Sequence, residues 1–294
     1  MRSRLRSEHD VAGEVGSGCC VAVGGTILGD HPMGLLRALV RGGITDLQVL
    51  TVLGGLDIDL LCGAGCVRHV EGAYVALGPY GLAPNFRRAV EQGQVRMVDF
   101  SEVSMLARFR AAALGLPMMP VRSILGSDIM RQTEYVREIE CPFTYQPLAA
   151  LSAARPAVAL LHVPECDEYG NVRYPASRPN PNTDEWLAAA SERVIVSTER
   201  VIAHEAVKRE PQRTWIPGRR VVAVVPLPHG AHPGSCNGEY GVDARSLRLY
   251  CDAARDPGQF GEYIQRYVTE PADHAEYLAR VAADRSDDSV SAGG

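Results

Sequence analysis

Several short stretches combine residue types that can steady an anion, attack as a nucleophile or take up a proton. Residues 21–26 (VAVGGT) run from an apolar, β-branched stretch into Gly24-Gly25-Thr26, with a helix start close behind. A strand that ends in bare glycines before a helix can bring backbone N–H groups and a helix N-terminus up to an anion or a developing oxyanion. The same layout also serves as a plain strand-to-helix turn, and it is neither GxGxxG nor a P-loop. Gly78 and Gly81, in GPYG, form a second glycine-bearing turn, and Gly54-Gly55 a third. Ser101-Glu102 ends one apolar run and opens another, VSMLARFRAAAL. A carboxylate in the first turn of a helix is kept ionised by the helix dipole and can act as nucleophile or general base. Glu102 equally fits a capping role behind Ser101. Arg122, in PVRS, could grip a carboxylate or phosphate bidentately or could be a solvated loop arginine. Ser101 and Arg122 are the candidate substrate contacts. His229 and His232, in HGAH, lack a third ligand and read first as structural; Asp167, Gly170 and Asn171 read as a turn.

These residues need a frame to hold them. Continuous apolar runs at 20–23, 47–53, 73–77, 95–100, 158–163, 194–197 and 221–225 suit strands buried on both faces. Helical patterns fall between several of them, at 33–40, 84–92 and 103–114. For the first helix, Asp30 or His31 suits the N-cap, Pro32 the first turn and Gly42-Gly43 the C-cap. The alternation predicts an α/β fold: an open, mostly parallel sheet flanked by helices. Ligands in such sheets bind beyond the carboxyl ends of the strands, where the glycine turns and Ser101-Glu102 gather. The proline-rich stretch 115–150 predicts a loop-rich excursion, a lid or small subdomain, within a domain spanning 16–283. The polar ends, 1–15 and 284–294, predict disordered tails.

A chain of 294 residues with 46% hydrophobic and 22% charged residues suits a soluble globular protein. A net charge of −5 argues against a broad nucleic-acid surface, and no apolar run approaches a membrane span of about 20 residues. The basic start MRSRLRS is followed by no apolar stretch of the kind a signal peptide needs, which points to the cytoplasm. The eight cysteines form no CxxC and no zinc-spaced cluster, so they read as reduced, with no metal site and no permanently bound cofactor expected.

Longer blocks then carry a resemblance. GGTILGDHPMGLLRALVRGG, YVALGPYGLAPNFRRAVEQG, SEVSMLARFRAAALGLPMMPVRS, DEYGNVRY and IPGRRVVAVVPLPHGAHPGSCNGEY resemble, in order, the A (alpha) chains of class I CoA-transferases of the glutaconate branch. YCDAARDPGQFGEYIQRYV extends the likeness, which runs from about residue 15 to 280. The resemblance implies an enzyme that moves coenzyme A between acids through a glutamyl-CoA thioester, with acyl-CoA as substrate. It implies a B (beta) subunit of similar fold, as a heterodimer or higher heteromer, which supplies the nucleophilic glutamate. This chain then supplies glycine-loop contacts from Gly24, Gly25, Thr26, Gly78 and Gly81. A related branch hydrolyses a carbon–carbon bond in a cyclic CoA ester of steroid degradation with a glutamate of its alpha subunit. Glu102 lies in the matching stretch, but glutaconate-type alpha subunits also tend to be acidic there. Pro164 and Cys166 depart from the pattern and leave the substrate open. A non-catalytic scaffold subunit is the third possibility.

Overall fold

The computed structural model describes residues 2–173 and 183–291. Strands β1 (Cys20–Val23), β2 (Leu47–Leu50), β3 (Val67–Gly72), β4 (Arg96–Asp99), β5 (Val158–Asp167), β6 (Arg193–Ile202) and β7 (Val221–Pro226) lie side by side as β4-β3-β2-β1-β5-β6-β7, each neighbouring pair parallel. Among the described residues the sheet has nine strands; Val172–Arg173 and Thr214–Ile216 complete it, antiparallel at the far end of β5. The strand order reverses at β1, flanked by β2 and β5, which is where such sheets open a crevice at their carboxyl edge.

Side chains alternate between two apolar layers, as the period of a strand requires. Val21 and Val23 enter one layer with Leu36, Leu60 and Tyr250; Ala22 enters the other with Met105, Phe109 and Leu187. The helices Met33–Arg41, Leu56–Gly63 and Ala244–Ala254 therefore cover one face, and Glu102–Ala113 and Thr183–Ala190 the other. This is the expected doubly covered parallel sheet.

The third strand differs from the expectation. The run 73–77 contributes only Tyr74–Val75, paired with Leu53–Gly54 in a separate two-stranded ribbon, so 47–53 is also divided. The sheet strand is Val67–Gly72, whose Arg68, His69 and Glu71 disguise it. Glu71 is nonetheless buried, because Gln48 donates to it at 2.6 Å and Arg108 pairs with the same carboxylate, and buried His69 lies beside it with Nε2 3.6 Å from Glu71 Oε1. The first helix also starts differently. Pro32 is its N-cap, while His31 turns inward and Asp30 adopts a φ of 57°.

The tails are a further correction. Leu5 bridges Val224 on β7, Val11 and Val15 are buried, and buried Glu8 pairs with Arg41 and accepts the His274 N–H at 2.7 Å. At the other end the helix His274–Ser291 runs through most of the expected tail, with Asp284 held by Arg266 and Tyr267. In both ends, polar composition conceals side chains that find buried or paired partners. Met1 and residues 292–294 lie outside the described part.

The excursion at 115–150 folds into a three-stranded antiparallel sheet of Met118–Val121, Val136–Glu140 and Pro147–Ser152, the last in the centre. Its prolines fit this use: Pro120 lies on an outer strand and Pro147 is the first residue of the central one.

Candidate functional site

At the carboxyl end of β1 the glycines turn out to be packing devices. A Cβ on Gly24 would lie 2.5 Å from Leu161 and one on Gly25 2.6 Å from the His31 backbone nitrogen. Gly25 also has a φ of 92°, which L side chains rarely adopt. A Cβ on Gly55 would lie 1.9 Å from the Ile27 carbonyl oxygen. Their amides have internal acceptors too. Gly24 donates to Leu160 O (3.0 Å), Gly25 to Asp184 Oδ1 (3.0 Å), Thr26 to Gly29 O (2.7 Å) and Gly55 to Asp57 Oδ1 (2.7 Å). The oxyanion-donor role expected of the N–H groups of Gly24, Gly25 and Thr26 is thus not open to them in this conformation. Each buried amide is satisfied within the fold, as burial demands.

Gly78 is less closely packed: a Cβ there would lie 3.3 Å from the Ile27 side chain, and its φ of 56° is what favours glycine. Gly81 is exposed at a φ of 97° with open space around it, and its carbonyl accepts the Leu77 N–H at 2.8 Å. Ser101 and Glu102 share the same edge of the sheet but follow β4, three strands away from β1, roughly 14 Å at the usual strand spacing. Ser101 caps the helix: its hydroxyl accepts the Ser104 N–H (3.2 Å), and its own N–H donates to Ser104 Oγ (2.8 Å). Glu102 is exposed, and among the described residues no hydrogen bond or ion pair engages its carboxylate. The helix beneath it is fixed by Arg108, whose guanidinium lies 4.4 Å from the Phe100 ring and 4.5 Å from the Tyr135 ring and donates to Ser152 O. Arg122 is exposed in the bend that follows the outer strand Met118–Val121 of the small antiparallel sheet.

A second assembly, unread in the sequence, lies at the carboxyl ends of β5, β6 and β7. His162 on β5 is fully buried, with Nε2 2.7 Å from Glu199 Oε1 and Nδ1 2.9 Å from Ser197 Oγ. Glu199 on β6 also accepts from the Tyr240 hydroxyl (2.8 Å) and from the N–H groups of His229 (2.7 Å) and Gly230 (3.2 Å). Burial pushes the Glu199 carboxyl up, but the His162 hydrogen bond and charge, with the His229 N–H and Tyr240 hydroxyl, outweigh it and hold the group below the ordinary range. Buried Cys236 brings its thiol within 4.8 Å of the His162 and Glu199 ligand atoms, so the three offer imidazole, carboxylate and sulfur to a metal. With four donors already on the carboxylate, the cluster reads better as a clasp that ties the 227–240 loop to the sheet. The one signal in the sequence was position: His162 is a polar residue inside the apolar run 158–163, and Glu199 follows the apolar run 194–197 by two positions.

The two histidines of HGAH part company. His232 is buried between Tyr277 (2.7 Å) and Asp243 (2.8 Å), and burial pushes its pKa down to about 4. His229 is exposed. Asp167, Gly170 and Asn171 form the expected turn, with Asp167 Oδ1 accepting the N–H groups of Tyr169 and Asn171. All eight cysteines are free, as expected. Among the described residues no helix is long and apolar enough to cross a membrane.

Comparison with known proteins agrees with this fold. Residues 5–226 match the family described as Coenzyme A transferase. An uncharacterised protein of Archaeoglobus fulgidus is 32% identical over 96% of this chain, which spans 62% of that relative's length. The IpdA component of the cholesterol ring-cleaving hydrolase of Rhodococcus jostii is 33% identical, covering 95% of this chain and 96% of its own. The alpha chain of glutaconate CoA-transferase from Acidaminococcus fermentans is 32% identical, covering 94% and 90%. The crystal structure of that transferase superposes with a TM-score of 0.89, over 96% of this chain and 94% of the other, at 30% identity. Sequence, sheet order and matched span together establish that the chain belongs to the coenzyme A transferase family.

Proposed function

We propose that this protein is the alpha subunit of a heteromeric CoA-transferase that moves coenzyme A from an acyl-CoA to a carboxylic acid. A beta subunit supplies the glutamate that becomes the glutamyl-CoA thioester. The observation that carries this reading is the likeness to the alpha chain of glutaconate CoA-transferase along nearly the whole length of both chains. The geometry of the chain supports it. Its own exposed carboxylate, Glu102, follows a strand that lies three strands, roughly 14 Å, along the sheet edge from β1, and among the described residues no hydrogen bond or ion pair engages it. A nucleophile brought by a second subunit would complete such a rim. On this reading Gly24, Gly25 and Thr26 fix the shape of the rim, Gly78 and Gly81 with Ser101 face the acyl-CoA, and Arg122 is open to the carboxylate of the acid substrate. Eight free cysteines suit a cytoplasmic setting.

A second reading is favoured by the IpdA likeness and by Glu102 itself: a CoA-ester ring-opening hydrolase in which Glu102 is the base. The test uses the chain co-expressed with its beta subunit. Acetyl-CoA is supplied with and without an acceptor acid, and hydroxylamine or borohydride traps any thioester for mass spectrometry. Acceptor-dependent exchange, a trapped glutamate on the beta subunit and an active Glu102→Gln variant are the results expected of the transferase. Water-dependent consumption of a cyclic CoA ester, lost in Glu102→Gln and with no trapped thioester, would replace it with the hydrolase.

A further inference from the structure

His229 has a φ of 58°, in the left-handed region that is uncommon for a residue with a Cβ, although histidine enters it more readily than most. A glycine would take this conformation freely, yet the chain places an imidazole here and its glycine one position later. The conformation is enforced from below. The N–H groups of His229 and Gly230 both donate to Glu199, at 2.7 and 3.2 Å. The ring packs on Tyr240, with centroids 4.6 Å apart and planes tilted by 34°. Tyr240 is itself immobilised, donating to Glu199 (2.8 Å) and accepting the Ala231 N–H (3.0 Å). So a buried carboxylate and a half-buried phenol both serve to present one exposed imidazole. Among the described residues no hydrogen bond engages its ring nitrogens.

His229 opens on a cleft of about 590 Å³ beside the helix His274–Ser291. Arg245, whose guanidinium donates to Asp284 O, and Arg285 stand on its walls with Asp243 and the apolar Val242, Leu278 and Val281. Arg285 pairs with Asp243, which also binds His232. Two guanidinium groups against one carboxylate leave the walls net cationic, and with the apolar side chains and an aromatic pair at one end they suit a ligand that carries phosphates on a partly apolar arm. The loop also reaches the glycine rim: Asp30 N–H donates to Ser235 O and Ser235 N–H to Leu28 O, at 2.7 and 2.8 Å, and Asn237 N–H donates to Asp30 Oδ1. Strained residues that the surroundings over-determine cluster where ligands bind.

We infer that His229 is a substrate-contacting residue, its imidazole meeting the CoA arm of an acyl-CoA that lies in this cleft. The inference rests on the reading of the chain as a subunit that handles CoA esters. Its test uses the complex with the beta subunit. Diethyl pyrocarbonate labelling is read by mass spectrometry at His229, with exposed His9 as internal control, in the presence and absence of desulfo-CoA. Calorimetry reports desulfo-CoA binding in parallel. Protection of His229 but not His9 is expected. Binding without protection overturns the inference alone, and so does protection by acetyl-CoA but not desulfo-CoA, which would assign His229 to the acyl end. No CoA binding at all overturns the transferase reading with it. The His229→Gly variant supplies the second readout. Removal of strain should raise its Tm, while the Kd for desulfo-CoA weakens roughly tenfold. A raised Tm with unchanged Kd would make His229 a purely structural residue.

Discussion

Glu102 and Glu199 stand near the carboxyl ends of strands in the same parallel sheet, and they have opposite fates. Glu199 is nearly buried and accepts from His162, Tyr240 and two backbone N–H groups. Glu102 is exposed at the first turn of a helix, and among the described residues no donor engages its carboxylate. A carboxylate whose lone pairs are all engaged holds backbone in place; one with none engaged is free to meet a substrate or a second subunit. The difference follows from what covers each strand end. The 227–240 loop folds back over β5 and β6, whereas β4 is an edge strand whose following helix carries Glu102 outward.

The contrast can be broken most directly at Glu199. Glu199→Ala leaves His162, Tyr240 and two amides without their acceptor, and should destabilise the fold by about 3–5 kcal/mol in chemical denaturation. A loss below about 1 kcal/mol would remove its role as a clasp. The glycine turn of β1 should respond next: Gly25→Ala combines a left-handed φ with a Cβ 2.6 Å from backbone, at a cost of about 2 kcal/mol measured the same way.

Acid should sharpen the comparison further. Burial holds the folded pKa of His232 at about 4, below its ordinary 6.5, so the unfolded chain takes up the proton first. This stability is complete above about pH 6.5 and is lost as pH falls toward 4. Glu199, held low, adds stability that is present above the ordinary carboxylate value and lost as pH falls through its folded pKa. Tm should therefore decline from about pH 6.5 downward, and His232→Asn should flatten the upper part of that decline; identical profiles would place its origin elsewhere. The smallest effect belongs to Glu102→Gln, which should change stability by no more than about 0.5 kcal/mol at any of these pH values. A larger loss would show that Glu102 holds structure after all.

Legibility in the sequence followed the same divide. Strands made wholly of apolar residues, such as Cys20–Val23 and Val221–Pro226, were plain, as was the helix Glu102–Ala113 with its serine cap. Val67–Gly72 was hidden because its polar residues are buried only by courtesy of Arg108 and Gln48, which lie far off in the chain. The Gly24-Gly25 turn was visible, but its neighbours were not: Leu161, Asp184 and His31 fill the space that a ligand would have used. His162 and Glu199 stand 37 residues apart on neighbouring strands, and nothing in their spacing marks them as a pair.

By itself the sequence determined the alternating α/β order, the carboxyl edge at which the polar turns collect, and the coenzyme A transferase family, because periodicity and long ordered motifs are local properties of the chain. Tertiary structure alone decided which glycines are packing and which stand open, that Glu199 is engaged while Glu102 is not, and that the two histidines of HGAH divide between a buried pair and an exposed, strained ring. Those outcomes depend on donors and acceptors brought together from distant strands and loops, and only the completed sheet sets them within hydrogen-bonding reach.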